Sequence, residues 1–136
     1  MLDQIIIKKI ELPAAGNLND DIDFISRSFG YFTERDKKDT AGRIFQVLVK
    51  EACGIEKGLT SDDIAKRLNL TRGAIVHHLN SFISTGLVVR FHNRYKLRSQ
   101  SLQKSIEEIK EDIDRIFNQI IKIANEIDIK LGNLYR

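Results

Sequence analysis

The residues whose chemistry could define a function lie between Asn69 and Arg98. No aspartate or glutamate occurs in this stretch, while five arginines or lysines and all three histidines of the chain do. Cations without nearby acids attract phosphate groups. The residues concerned are Arg72, His77, His78, Arg90, His92, Arg94, Lys96 and Arg98. This distribution indicates a nucleic-acid partner more strongly than the mild net charge of +3 does.

The same residues do not indicate catalysis or metal binding. The chain has no phosphate-cradling glycine loop, and no nucleophile is arranged with a base and an orienting acid. Cys53 is the only cysteine, so a zinc site built from thiolates is excluded, and we expect a buried apolar role for it. Adjacent His77 and His78 would point about 100° apart on a helix, too far to chelate one ion. We predict no enzyme activity, no metal and no cofactor.

Capping residues and apolar spacing predict two helices, one just before the acid-free stretch and one in its first part. Thr60 and Asp63 match a capping box that begins a short helix, residues 69–70 make a turn, and Thr71 caps the next helix. Gly86 ends that second helix, at a position that favours a left-handed residue. The inner faces are apolar, with Ile64, Ala65 and Leu68 in the first helix and Ile75, Leu79, Phe82 and Ile83 in the second. The pattern is that of a helix-turn-helix.

A β-hairpin is predicted immediately afterwards. Beyond Gly86 the spacing of apolar residues changes from a helical period to alternation, which is typical of strands. We expect strands at 87–91 and 95–97, joined by His92, Asn93 and Arg94, with Asn93 best suited to a positive φ. Such a hairpin would flank the second helix as a wing.

These elements predict which residues contact DNA. In a helix-turn-helix, the second helix enters the major groove, where base edges differ from one another. Arg72 can pair with guanine or bind phosphate, Val76 can meet a thymine methyl, and His77 or Asn80 can bond to bases or backbone. Arginines on the wing suit phosphates or the minor groove. The predicted set is Thr71, Arg72, Gly73, Val76, His77 and Asn80 on the recognition helix 71–85, and Arg90, His92, Asn93 and Arg94 on the wing 90–95.

A known family resembles this part of the chain. The run LTSDDIAKRLNLTRGAIVHHLNSFISTGLVVR, residues 59–90, resembles the DNA-binding core of winged helix-turn-helix repressors of the ArsR and MarR type. The resemblance covers roughly residues 41–98 and is closest to ArsR regulators around Ile75, His78, Leu79 and 86–88. The N-terminal segment and the long terminal helix resemble those of archaeal regulators of this kind.

The resemblance implies DNA binding, although some winged helices bind proteins instead. It implies that His78 is half-buried and His77 exposed. The family commonly has a DNA-contacting serine at the position of Val76, so the sequence departs from the pattern there. Metal sensing, which also occurs in the family, is not expected, because the chain lacks a Cys-Val-Cys type ligand pair.

The N-terminal third predicts one strand and two helices. β-Branched residues at 4–12, before the sole proline Pro13, favour a strand over a helix. Asn19 can cap a helix that Gly30 ends. Thr33 and Asp36 then resemble a capping box for a second helix. That helix would bury Ile44, Val47, Leu48 and Ala52 and end at Gly54 and Gly58.

The last segment, 101–131, predicts one long helix with an unbroken heptad seam. Its apolar residues are separated by alternating steps of four and three, as in a coiled coil. The predicted dimerisation residues are Leu102, Ile106, Ile109, Ile113, Ile116, Ile120, Ile123 and Ile127. A second row, Phe117, Ile121 and Ala124, widens the apolar face, and we expect it to pack against the protein body. Packing on its own domain is the alternative, and isoleucine at both seam positions mildly favours more than two strands.

The predicted fold class is mainly α with a small β-hairpin: a winged helix-turn-helix domain plus a long C-terminal helix. We divide the chain into an N-terminal strand and helix at 1–32, the DNA-binding domain at 33–98 and the coiled-coil helix at 99–136. No apolar run has the length of a signal peptide or membrane span, so we expect a cytoplasmic protein without a membrane partner.

The predicted function follows from these elements together. We expect a transcription regulator that binds double-stranded DNA as a homodimer, with its recognition helices about 34 Å apart on a palindromic site. The alternative is a winged-helix module that binds a protein of a transcription or replication complex. The sequence names neither an operator nor an effector ligand.

Overall fold

The structure, a computed structural model, describes residues 5–14, 16–31, 38–52 and 58–132. The described chain is mainly helical, with a small antiparallel sheet and a long C-terminal helix, as predicted in that coarse form. The elements in chain order are α1 Leu18–Ser28, α2 Thr40–Val47, a π-helical turn Leu48–Ala52, β1 Leu59–Thr60, α3 Ser61–Leu68, α4 Arg72–Ser84, β2 Val88–Phe91, β3 Arg94–Leu97 and α5 Leu102–Lys130.

The predicted N-terminal strand is wrong for the described residues 5–12. This segment makes one backbone bond to the body, from Lys8 N to Ser28 O at 2.9 Å, and pairs with none of the three strands. A strand needs a partner along its length, and β-branched residues alone do not supply one. Ile6 and Ile7 are exposed. Of the three consecutive isoleucines, Ile5 packs against the core, and the run does not form a strand.

The cap of α1 lies two residues earlier than predicted. Asn17 Oδ1 accepts from Asp20 N at 3.1 Å, which makes Asn17 the N-cap instead of Asn19. Asn19 lies in the first turn and accepts from Lys50 Nζ at 2.5 Å. The helix ends as expected before Gly30, which has a φ of 72°.

Helix α2 begins at Thr40, after Asp39, whose φ is 51° and whose side chain makes no capping bond. The predicted capping pattern of Thr33 and Asp36 lies outside the described residues, as do Cys53 and Gly54. Ile44, Val47 and Leu48 are buried as predicted. The last turn, Leu48–Ala52, is π-helical, which the spacing of residues did not predict.

The sheet has a third strand that the sequence did not indicate. Its order is β1-β3-β2, with Leu59 opposite Tyr95 and Phe91 opposite Arg94. Gly58 precedes β1 with a φ of 84°, and a Cβ there would lie 2.4 Å from the carbonyl oxygen of Tyr95. A glycine is therefore required for β1 to approach β3. In the tight turn, His92 and not Asn93 has the positive φ, 55°.

Helices α3 and α4 begin at the predicted caps. Thr60 and Asp63 form both bonds of the capping box, each at 3.0 Å. Thr71 Oγ1 accepts from Ala74 N at 3.3 Å. Gly86, with a φ of 85°, follows the end of α4 as predicted.

A single apolar core joins α1 to α5. Tyr31 packs on Phe82 of α4, with ring centroids 4.4 Å apart, and Phe82 lies 5.9 Å from Phe45 of α2. The core also contains Ile22 of α1, Ile64 of α3 and Ile109 of α5. The division of the chain into three segments stays a prediction, although the first and last segments both contribute side chains to this core.

The long helix α5 runs from Leu102 to Lys130 between the caps Ser101 and Leu131, matching the predicted 101–131. At 1.5 Å per residue its 29 residues span about 44 Å. Its N-terminal part lies on the core, and every residue from 114 to 132 is exposed. None of the described helices is long and apolar enough to cross a membrane.

Candidate nucleic-acid interface

Helices α3 and α4 are held together by the short turn 69–71. Asn69 adopts a left-handed φ of 54°, and Leu70 N donates to Ala65 O at 3.1 Å, which closes the end of α3. Arg43 of α2 donates to Leu68 O at 3.2 Å and satisfies another terminal carbonyl. These bonds satisfy the terminal carbonyls of α3 and hold the turn, and so they position the start of α4.

Five of the six predicted positions on α4 are exposed on one side of the helix, with Ile75, Leu79 and Phe82 buried on the other. The exposed positions are Thr71, Arg72, Gly73, His77 and Asn80. Val76 is half-buried, so its contribution to an outer contact is smaller than predicted. This surface, Thr71 to Asn80, is called the α4 face below.

The N-terminal end of the α4 face combines a helix terminus with a cation. Thr71 caps α4 through its oxygen and retains its hydroxyl proton as a donor. Arg72 is exposed and makes no side-chain hydrogen bond or ion pair with another described residue. Free backbone N–H groups at a helix N-terminus favour anions. A phosphate at this end would meet N–H groups, a hydroxyl and a guanidinium.

The hairpin tip is organised by Arg90. Its Nε donates to His92 O at 3.0 Å and its NH2 donates to Asn93 Oδ1 at 3.1 Å, while the guanidinium lies 5.7 Å from the centre of the Tyr95 ring. Arg90, His92 and Asn93 are all exposed. Arg90 therefore stabilises the turn and still presents positive charge to solvent.

Arg94 has a different role from Arg90. Its NH1 donates to Gly58 O at 3.2 Å, on the side of β3 that faces β1. The charge of Arg94 also helps to lower the pKa of Asp63, although the backbone hydrogen bond from Thr60 is the main cause. Arg94 is exposed, but this bond directs it toward the residue that precedes β1. It is less available to a ligand than the sequence predicted.

One exposed aromatic residue at the tip was not among the predicted contacts. Phe91 is 70% exposed, and its ring lies 4.3 Å from the ring of His92 in an edge-on arrangement. The sequence placed Phe91 inside a strand, where alternation alone does not reveal a large solvent-facing ring. The sequence signal that could have indicated the exposure of Phe91 is its position directly before the turn, opposite a basic residue.

The two adjacent histidines divide as expected from the resemblance. His77 is exposed and His78 is half-buried, with ring centroids 5.3 Å apart and an interplanar angle of 66°. Among the described residues, no three histidine, cysteine or acidic side chains are grouped to hold a metal ion.

The absence of acids extends further than residues 69–98. No aspartate or glutamate occurs from Ile64 to Ile106, which adds Lys66, Arg67 and Lys104 to the basic set. Lys66 is exposed on α3, while Arg67 is paired with Glu51 at 2.5 Å. A longer window on the sequence would have found these three residues.

The predicted dimerisation residues fall into two groups. Ile109 is buried in the core of its own chain, and Leu102, Ile106 and Ile113 pack against that core, so this part of the seam faces the body. From Ile116 onward the seam is exposed. The exposed members are Ile116, Ile120, Ile123 and Ile127, and Phe117 and Ile121 of the second row are exposed with them. The second row does not contact the body, contrary to one prediction for it.

The chain was compared with known proteins. No protein-family model, curated protein or solved structure matches it. The features of the chain that bear on its function are the α4 face, the hairpin and α5.

Proposed function

We propose that this chain is a sequence-specific regulator of transcription that binds double-stranded DNA as a homodimer through a winged helix-turn-helix. The observation that carries the proposal is the α4 face: a well-capped helix with an exposed, acid-free side, beside a basic hairpin. The order α3, turn, α4, β2, β3, with β1 completing the sheet, supports the assignment to a winged helix.

The α4 face has the chemistry that readout of DNA needs. Arg72 presents a bidentate donor near the helix N-terminus, where base contacts are concentrated in helix-turn-helix proteins. His77 and Asn80 follow along the exposed side and offer hydrogen bonds to bases or backbone. Arg90 supplies charge at the hairpin tip, where a wing reaches phosphates or the minor groove.

A second copy of the chain is the proposed partner of the exposed half of α5. The seam keeps its heptad spacing from Ile116 to Ile127, beyond the point where the body ends. A large exposed apolar patch on a monomer marks an interaction surface. Pairing of two such helices would cover it and place two α4 faces on one side of a palindromic site.

The decisive experiment is selection of bound duplexes from a random pool, followed by anisotropy titrations of the selected duplex and a scrambled one at several salt concentrations. We expect recovery of a palindromic sequence with half-sites about one DNA turn apart. We also expect affinity to fall steeply with salt, because phosphate contacts release counterions.

Arg72→Ala tests direct readout. At the best site we expect a loss of about 1 to 3 kcal/mol together with relaxed preference at one base pair, as for a lost bidentate contact to guanine. Equal losses on the selected and scrambled duplexes would reassign Arg72 to phosphate. Lys122→Ala, which removes an exposed cation of α5, is the control and should change neither quantity.

Arg90→Gln tests the hairpin as a wing, because glutamine keeps a donor for the turn while losing the charge. We expect similar weakening on every duplex and a salt slope smaller by about one. Failure of the wild-type protein to bind any duplex at low salt would contradict DNA binding and favour the protein-interaction alternative.

A further inference from the structure

A cavity lies between the N-terminal segment and the C-terminal end of α4. Its volume is about 390 Å³, within the range of roughly 300 to 1,000 Å³ typical of small-molecule sites. The backbone bond from Lys8 N to Ser28 O fixes the segment that forms one wall. Its lining includes Ile6, Lys8, Phe29, Tyr31, Ser84 and Thr85.

Three of the hydroxyl groups that line this cavity, those of Tyr31, Ser84 and Thr85, already donate hydrogen bonds within the chain. Thr85 Oγ1 donates to Phe82 O at 3.0 Å, so in the hydrogen bond between Tyr31 and Thr85 the tyrosine must be the donor. Burial raises the pKa of Tyr31 well above its usual range, so it stays protonated. Ser84 Oγ likewise donates to Ser81 O at 2.9 Å. A further hydrogen bond to Tyr31 or Ser84 must therefore come from a donor on a ligand.

Charge is distributed unequally along the cavity. Among the described residues of the lining, Lys8 is the only charged one, and no described acid forms an ion pair with it. Ser84 and Thr85 lie at the C-terminal end of α4, where terminal carbonyls favour a positive group. Ile6 and Phe29 supply apolar surface. A matching ligand carries an anion, a cationic donor and an apolar part.

We propose that this cavity binds a free α-amino acid with an apolar side chain. Its carboxylate would pair with Lys8, its ammonium group would donate to the oxygens of Tyr31 and Ser84, and its side chain would lie against Ile6 and Phe29. The site is separate from the α4 face, and its existence does not depend on DNA binding. The assay below contains no DNA, so it can fail or succeed independently of the proposed function.

Calorimetric titration of the full chain tests the proposal. The probes are L-leucine, L-isoleucine, L-valine, L-methionine and L-phenylalanine, with the amide and the N-acetyl derivative of the best binder as matched analogues. We expect at least one amino acid to bind with a Kd below about 1 mM, and both analogues to bind at least about tenfold more weakly, since each lacks one charge-assisted contact. No heat with any of the five, or equal binding of the analogues, would overturn the proposal.

Variants locate the binding. Lys8→Met should weaken the best binder about tenfold or more and should remove the preference for it over its amide. Lys9→Met removes the neighbouring exposed cation, which is not in the lining, and should leave binding unchanged. Circular dichroism checks that both variants are folded. Equal effects of the two variants would place the ligand elsewhere and reject this cavity.

Discussion

Ser26 is a buried polar residue with an unsatisfied hydroxyl. It is 1% exposed on the inner side of α1, and its Oγ has no hydrogen-bond partner among the described residues. A buried polar group without a partner costs about 1 to 3 kcal/mol. We expect Ser26→Ala to raise the free energy of unfolding by about 1 kcal/mol, measured by urea denaturation.

Ser28→Ala is the matched control for that measurement. Ser28 lies on the same helix, but its Oγ donates to Phe24 O at 2.7 Å. Removing a satisfied hydroxyl should not stabilise the protein. If Ser26→Ala were as neutral or destabilising as the control, Ser26 would have a partner in the native state and its burial would have no cost.

The residues of the α4 face were predictable because a helix has a fixed period. Once Ile75, Leu79 and Phe82 are assigned to the core, the exposed positions follow from geometry. The contacts of the hairpin arginines were not predictable. Arg94 bonds to Gly58, which lies far away in the sequence and approaches only because β1 pairs with β3. Whether Arg94 is available to a ligand therefore depends on the pairing of β1 with β3.

At the scale of elements, the sequence predicted correctly the helix ends that depend only on neighbouring residues. The capping box of Thr60 and Asp63 begins α3, Thr71 caps α4 and Gly86 follows its end, and these bonds span only three or four residues. The segment 5–12 failed for the opposite reason, since a strand is completed by a partner elsewhere in the chain. Strand β1, only two residues long, has too few positions to show alternation.

The junction of β3 and α5 is held by an ionic cluster around Asp112. Arg98 donates to Asp112 at 2.5 Å and pairs with Glu108 at 3.1 Å, and Arg115 also bonds to Asp112. The side chain of Asp112 is 9% exposed. Hydrogen bonds to such a buried charged group contribute about 1.5 to 3 kcal/mol. We expect Asp112→Asn to lower the free energy of unfolding at pH 7 by about that amount, as measured by urea denaturation.

The same cluster predicts a dependence on pH. The hydrogen bond from Arg98 is the main cause that lowers the pKa of Asp112 below its ordinary value of 3.8. Because the folded-state pKa is depressed, the stabilisation is complete above the unfolded-state value and is lost as pH falls through the folded-state one. The difference between wild type and Asp112→Asn should therefore be constant from pH 7 to about 5 and shrink below about 3.8.

Asp114→Asn is the control for both measurements. Asp114 pairs with Lys110 at 3.2 Å, but the two side chains are 56% and 76% exposed. Exposed ion pairs on a helix contribute at most a few tenths of a kcal/mol. A loss at Asp114 as large as that at Asp112 would mean that α5 as a whole, and not its junction with the sheet, is sensitive to charge.

At the scale of the molecule, the exposed half of α5 determines how two α4 faces could reach one DNA site. The sequence predicted a seam over the whole helix, but only its second half is available, since Ile109 and its neighbours cover the core of their own chain. Periodicity cannot separate these two uses, because both need the same spacing of apolar residues. Ile113, at the boundary, is unsuitable for testing the dimer, because its replacement would also disturb the core.

Ile120→Asp tests the dimer without touching the core. Ile120 is 56% exposed in the single chain and lies at the centre of the available seam. In a two-chain seam it would be covered, and an unpaired carboxylate buried there costs several kcal/mol. We expect the wild type to sediment as a dimer and Ile120→Asp as a folded monomer that binds the palindromic duplex much more weakly. Asn125→Asp adds the same charge outside the seam and should stay dimeric. A monomeric wild type, or a variant that stays dimeric, would reject pairing through α5.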